Sequence, residues 1–298
     1  MVTEARSSVV LADALSGELA ALAERVRAGV VEVSDGRGTG AGTIWSSDGL
    51  IVTNHHVVPG ETACVTLDDD TVLDARVIAS LPERDLSLLK VGATDLPALP
   101  IGDSASLRPG EIVMAVGHPH GVPGVVTFGV FSRVGPYEGR TGRHLREGLL
   151  ADIELRPGNS GGPLVNARGE VVGINAMVLG PGTALAIPST TVGRLLVSGE
   201  RRTLGIQVGL IENTPAVAGH DGLTQEHLVM VLEVASASAA TRAGLLPGDI
   251  LLALNGEPIE EPGDIAWALA GASPDASISL TVLRAGQRTD VLLMPVAS

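Results

Sequence analysis

"RPGNSGGPLV", residues Arg156 to Val165, sets a single serine among three glycines and two prolines. Glycine is used where φ must be positive or where another group approaches the backbone closely. Ser160 therefore stands on a plain turn, in a ligand cradle, or as an exposed nucleophile. Gly158 to Gly162 also satisfies the G-x-S-x-G string of a hydrolase nucleophile elbow, which needs a strand before the serine and a helix after it. Here "PLVNARGEVVGI" comes next, a strand, a turn and another strand, and Pro163 opposes a helix start. A phosphate loop fails too, since no lysine follows the glycines and no helix opens there.

A serine nucleophile needs a base to take its proton and an acid to orient that base. Upstream, "LIVTNHHVV" carries His55 and His56, and "LPERDLSLLK" carries Asp85. On a strand the two histidines face opposite ways, so only one can meet Ser160. Glu83 rivals Asp85 but lies before the apolar run, whereas Asp85 abuts it. The chain order His, Asp, Ser is the chymotrypsin-like order.

The surroundings agree. Leu11, Leu15, Leu19, Leu22 and Val26 recur at helical spacing, giving an amphipathic helix that ends near Gly29. After it come short β-rich runs such as "GVVEVSD", "LSLLKV", "EIVMAVG" and "EVVGINAMV". Gly, Pro, Asp and Ser punctuate them every ~8–12 residues, the mark of an all-β sandwich or barrel. "GERRT" at 199–203 reads as a polar junction, and beyond it strands and short helices mix. The expected division is a helical segment over 1–29, a β domain over 30–198 and a smaller mixed α/β domain over 199–298.

Composition bounds the function. With 34 acidic against 20 basic residues the net charge is −14, which argues against nucleic acid or an anionic membrane as the main partner. Cys64 is the only cysteine, so no intramolecular disulfide forms, and "TACVTL" reads as a strand with Cys64 in the core. The N-terminus shows neither a signal peptide nor a membrane span, since Asp13, Glu18 and Glu24 interrupt it. A cytoplasmic location is the default expectation; a chain trimmed at its N-terminus, periplasmic or extracytoplasmic, would look the same.

"GTIWSSDGLIVTNHHVV", "RDLSLLKV", "VGHPHGVPGVVTFGVFS", "DIELRPGNSGGPLVNARGEVVGIN" and "LAIPS" resemble, in order, the signature segments of HtrA (Deg) serine proteases over roughly residues 30–190. "LGIQV" with "AGLLPGDILLALNGEPI" resembles their C-terminal PDZ domain. The resemblance implies a mainly β fold, a chymotrypsin-like double β-barrel followed by a mixed α/β PDZ domain. It implies His56, Asp85 and Ser160 as the catalytic triad, with the backbone N–H groups of Gly158 and Ser160 as oxyanion hole. The glycines of the opening stretch then let the backbone turn its amides toward a developing oxyanion, worth ~3 kcal/mol per donor.

The resemblance further implies an endopeptidase of unfolded or misfolded polypeptides that needs no cofactor or metal. A pseudo-protease that only holds client proteins through its PDZ domain is the alternative. Leu204, Gly205 and Ile206 correspond to the carboxylate-binding loop, so C-terminal peptides would add as a strand beside 206–210, their last side chain against the helix around Ile265 and Leu269. Homo-oligomers through the stripe of residues 11–28 and packing of that stripe on its own barrel are equally open.

The cleavage preference turns on three residues. Glu154, six before the nucleophile, would favour Arg or Lys before the scissile bond if it lay at the pocket base. Leu155 and Leu185 instead imply a shallow apolar pocket, with Glu154 neutralised by Arg156, and this is the favoured reading. His118 and His120 in "GHPHG" are at most a weak zinc candidate. "GRGTGAG" at 36–42 reads as a hairpin, since no helix follows it. "GPYEGRTGRHLREG" at 135–148 reads as a Gly- and Arg-rich loop.

Overall fold

The computed structural model describes residues 2–118, 121–122, 124–138, 144–180, 182–197, 202–214, 223, 225, 227–270, 276–294 and 296–297. The chain divides into two compact units, Met1–Val192 and Gly193–Ser298. That division falls a few residues before the "GERRT" junction, most of which lies outside the described residues.

The first unit opens with helix α1 (Val2–Arg27), closed by a hydrogen bond from the Gly29 amide to the Val26 carbonyl. Arg25 and Arg27 lie in its last turn, where the helix dipole favours cations. Leu22 and Val26 are buried at 3% and 1% exposure, whereas Leu15 is 53% exposed. The end of the apolar stripe therefore packs on its own domain, beside strand β7. Side chains of residues 2–12 lie outside the described ones.

Two closed six-stranded antiparallel barrels follow. The first comprises β1 (Val30–Ser34), β2 (Thr39–Ser46), β3 (Leu50–Thr53), β4 (Thr62–Thr66), β5 (Val72–Leu81) and β6 (Leu86–Val91). The second comprises β7 (Ile112–Gly117), β8 (Val125–Glu138), β9 (His144–Asp152), β10 (Pro163–Asn166), β11 (Val171–Gly180) and β12 (Thr183–Pro188). Apolar residues fill each interior: Val31, Val33, Ile44, Ile51 and Leu89 in one, Val113, Phe131, Leu149 and Leu164 in the other.

Residues 36–42 form a β1–β2 hairpin, with Ser34 paired to Thr39 and Val33 to Gly40, as the sequence suggests. Two local readings need correction. Cys64 is exposed, because on β4 the inward sites go to its neighbours Ala63 and Val65. The segment 135–148 is not simply a loop, since the β8–β9 ladder runs out to Tyr137 opposite Leu145 and Glu138 opposite His144. Residues 139–143 lie outside the described ones.

Helix α2 (Ser189–Val197) leads into the second unit. There β13 (Arg202–Thr203) pairs with β20 (Val296–Ala297), and the main sheet runs β14 (Ile206–Glu212), β15 (His227–Val234), β16 (Ile250–Leu254), β18 (Ile278–Arg284), β19 (Gln287–Leu293), with β17 (Glu257–Pro258) beside β16. Helices α3 (Ala239–Ala243) and α4 (Pro262–Ala270) complete it. Leu204, Val231, Leu251, Ile265 and Leu280 share its core. No helix among the described residues is long and apolar enough to cross a membrane.

Candidate active site

His55 and His56 lie in a turn just after β3, not on the strand. Their imidazoles still diverge. His56 Nδ1 is 2.7 Å from Asp85 Oδ2, and the His56 amide donates to Asp85 Oδ1 at 2.9 Å. His55 Nδ1 instead pairs with the Ser80 hydroxyl on β5 at 2.9 Å.

Asp85 follows a 3₁₀ turn, Pro82–Arg84, in a left-handed conformation with φ 53°. Its carbonyl accepts a bond from Asn54 Nδ2, and its side chain is only 4% exposed. A buried carboxylate holding both the backbone and the ring of one histidine fixes that ring's orientation. The side chain of Glu83 lies outside the described residues.

Ser160 sits in the β9–β10 connection, and the hydrogen bonds around it sort the backbone groups of its loop. The Asn159, Gly161 and Gly162 amides donate to Arg156, Asn175 and Asn159 carbonyls respectively. The carbonyls of Gly158 and Ser160 accept from the His118 and Ala41 amides, and the Gly161 carbonyl accepts from Thr43 Oγ1. That leaves the Gly158 and Ser160 amides, which donate to no acceptor among the described residues. Gly158 stands at φ +104°, where a side chain would be strained. Among the described residues, then, two N–H groups of the serine loop remain without an acceptor, the kind of donor a developing negative charge needs.

The Ser160 hydroxyl donates to the Ala176 carbonyl on β11 at 3.2 Å, and no bond joins it to His56. Both nonetheless border one cavity of about 410 Å³, whose walls are the β1–β2 hairpin tip, His56 with Val57, and Pro157 with Gly158 and Ser160. A rotation about one side-chain bond carries the hydroxyl between staggered positions.

The three pocket residues lie elsewhere. Leu155 and Leu185 are buried at 7% and 0% exposure, Leu155 within the second barrel's core. Glu154 is exposed and ion-paired to Arg156 at 3.1 Å. None of the three borders the cavity holding Ser160. His118 is 6% exposed, and burial pushes its imidazole below the ordinary value; His120 lies outside the described residues. Among the described residues no cluster of three or more His, Cys, Asp or Glu could hold a metal.

In the second unit the Leu204 and Gly205 carbonyls accept from the Ala240 and Ala235 amides. The amides of Leu204 and Gly205 donate to nothing among the described residues. Gly205 has φ +73°, and Ile206 opens β14, the edge strand of the sheet. Ile265 and Leu269, on α4, are core residues at 7% and 4% exposure.

Sequence reading misses Arg37, Thr43, Asn54 and Ala176. Arg37 and Thr43 carry no motif, and only the folded chain brings Thr43 to the Gly161 carbonyl, Asn54 to the Asp85 carbonyl and Ala176 to the Ser160 hydroxyl.

Known proteins resemble this arrangement over most of its length. Residues 40–174 match the trypsin-like peptidase domain model and residues 203–293 the PDZ domain model. The solved "HtrA-type protease AlgW with tripeptide" is 31% identical with a TM-score of 0.62, covering 92% of this chain and 96% of that one. This chain belongs to the HtrA family of serine proteases. The serine endoprotease from Yersinia pestis, also solved, is 28% identical with a TM-score of 0.59, covering 93% and 97% of the two chains. Among curated HtrA relatives, the "Probable periplasmic serine endoprotease DegP-like" of Brucella suis biovar 1 is 36% identical over 272 residues, 85% of this chain and 51% of that protein. The chain thus spans about half the length of that relative.

Proposed function

We propose that the chain is a serine endopeptidase working by acyl transfer. His56 takes the proton of Ser160 as the hydroxyl attacks the scissile carbonyl, and Asp85 holds the imidazole in orientation and stabilises the imidazolium that forms. The Gly158 and Ser160 amides receive the oxyanion. His56 then returns the proton to the leaving amine, and water releases the acyl group by the same steps in reverse. The observation that carries this reading is that residues 158 and 160, whose amides meet no acceptor among the described residues, border the same cavity as a carboxylate-held imidazole.

Unfolded or misfolded polypeptides are the proposed substrates, since an extended chain is what a cleft between two rigid barrels can admit. In the second unit the Leu204 and Gly205 amides, without an acceptor among the described residues and next to the edge strand β14, support capture of a terminal carboxylate with strand addition beside 206–210. The relatives named periplasmic support an extracytoplasmic place of work. Incubation of the wild type and Ser160→Ala with unfolded casein tests the activity. Cleavage by the wild type alone is expected; equal cleavage by both ends the reading.

A further inference from the structure

The serine has two flanks, and the cavity lies on only one of them. On one flank the Ser160 hydroxyl meets the Ala176 carbonyl of β11, and the Gly161 amide meets the Asn175 carbonyl. On the other, the Ser160 carbonyl is held by Ala41 of β2, and the β1–β2 hairpin tip faces it across the cavity. The residues assigned to the acyl-side pocket, Leu155, Leu185 and Glu154, border none of this space. His56 does, and His56 is the group that hands its proton to the departing amine. The cavity therefore borders the group that protonates the leaving amine.

Its charged walls are Asp35 and Arg37. Asp35 is committed to its own turn: one carboxylate oxygen accepts from the Arg37 amide at 2.8 Å and the Gly38 amide at 3.0 Å. Those two bonds, with a smaller contribution from the Arg37 charge, hold its carboxyl below the ordinary value. The Arg37 guanidinium, exposed at the hairpin tip, donates to no acceptor among the described residues. Arg37 thus brings five N–H donors to the cavity wall, its charge balanced only at long range by the Asp35 carboxylate beside it. In a chain of net charge −14, this is a cation on the wall of the cavity that Ser160 also borders.

We propose that Arg37 is a specificity-determining residue that selects an acidic side chain, Asp or Glu, in the one or two substrate positions following the scissile bond. The proposal rests on the protease reading above. A guanidinium and a carboxylate meet in a forked, charge-assisted pair. Because the hairpin tip is solvated, the gain is modest, about fivefold in kcat/KM, or ~1 kcal/mol at 1.4 kcal/mol per tenfold.

Three otherwise identical peptides, with Glu, Gln or Lys in the second position after the bond, test it. They carry amidated C-termini, so carboxylate capture by the second unit does not contribute. The full chain should cleave the Glu peptide about five times more efficiently than the Gln peptide, the ratio falling to about one in Arg37→Gln and inverting toward Lys in Arg37→Glu. Added salt should compress the wild-type ratio. The same order of affinities is expected for Ser160→Ala, which binds without turnover. A wild-type ratio near one, or a Glu preference that survives in Arg37→Gln, overturns the role of Arg37. Absence of cleavage by the wild type overturns the protease reading separately, while the affinities in Ser160→Ala still decide the role of Arg37.

Discussion

The Ala41 amide of the first barrel donates to the Ser160 carbonyl of the second at 2.7 Å. Two more bonds brace that junction: Thr43 Oγ1 to the Gly161 carbonyl at 3.1 Å, and Thr53 Oγ1 to the Ala41 carbonyl at 2.8 Å. The serine loop is thus held from outside its own barrel. A hydroxyl and an amide of β2 decide where the Gly158 and Ser160 amides point.

Thr43→Val tests that brace. The substitution keeps the shape of a fully buried side chain and leaves the Gly161 carbonyl without its donor. Urea unfolding should show a loss of about 1–2 kcal/mol, the cost of an unsatisfied buried group. The rate should fall mainly in kcat, because a misaimed amide weakens the transition state more than the bound substrate. An unchanged kcat would mean that the loop holds its geometry without β2.

Gly158→Ala addresses the oxyanion site directly. At φ +104° an alanine is strained, so the peptide must rotate and take one amide out of the site. The expected loss is ~10²–10³ in kcat, the usual effect of removing one such donor. Binding of a C-terminal peptide to the second unit, measured by calorimetry, should be unaffected. A variant of wild-type rate would remove Gly158 from the mechanism.

Much of this site is readable in the sequence, because "GNSGG", "TNHHVV" and "RDLSLLK" each keep a reactive residue beside the turn or strand that aims it. The all-β texture is legible in short apolar runs broken by Gly and Asp, which fit a sandwich or a barrel alike, and only the resemblance to HtrA proteases points to two barrels. Cys64 misleads because "TACVTL" is apolar at successive positions, and only the pairing of β4 with β1 and β5 decides that Ala63 and Val65 face inward. Arg37 is silent for a deeper reason. Its place beside Ser160 depends on the contact between two barrels 119 to 123 residues apart in sequence, such as Ala41 with Ser160, and no local pattern encodes it.

Cleavage preference depends on where Glu154 sits. Its carboxylate is exposed and paired with Arg156, so it presents no buried charge to a bound side chain. Mass-spectrometric mapping of cuts in an unfolded substrate should therefore show aliphatic residues before the scissile bond, with the same pattern in Glu154→Ala. A predominance of cuts after Arg and Lys, lost in that variant, would restore Glu154 to the pocket.

His118 predicts an acid weakness. Burial pushes its pKa below the ordinary 6.5, although Glu32 and Asp68 oppose the shift in part, and Nε2 has no partner among the described residues. The unfolded chain then takes up a proton that the folded one refuses. Stability is full above the unfolded value and falls as pH drops below about 6.5 toward the folded pKa. In His118→Leu the slope of stability between about pH 7 and pH 5 should flatten. An unaltered slope would assign the acid sensitivity to other groups.

The second unit holds a half-buried ion pair whose dependence lies at lower pH. Arg284 grips Asp249 through Nε at 2.7 Å and Nη2 at 2.6 Å, while Nη2 also reaches the Gly244 carbonyl. Burial alone would raise the Asp249 carboxyl, but the Arg284 bonds and the Leu246 amide outweigh it and hold it below the ordinary 3.8. A depressed acid contributes stability above its unfolded pKa and loses it as pH falls through the folded one. Asp249 is 1% exposed, so removing its partner leaves a buried charge unmatched. The cost is put at about 2 kcal/mol rather than the 3–5 of a fully buried pair, because Arg284 is a third exposed. In Arg284→Met, amide exchange of Leu251 and Val282 in the full chain should speed up by about thirtyfold at neutral pH, equivalent to ~2 kcal/mol. As pH falls below about 4 the wild type should approach the variant, since protonated Asp249 no longer needs the guanidinium. Equal protection of both proteins at neutral pH would show that the pair positions the Gly244 turn without stabilising the sheet.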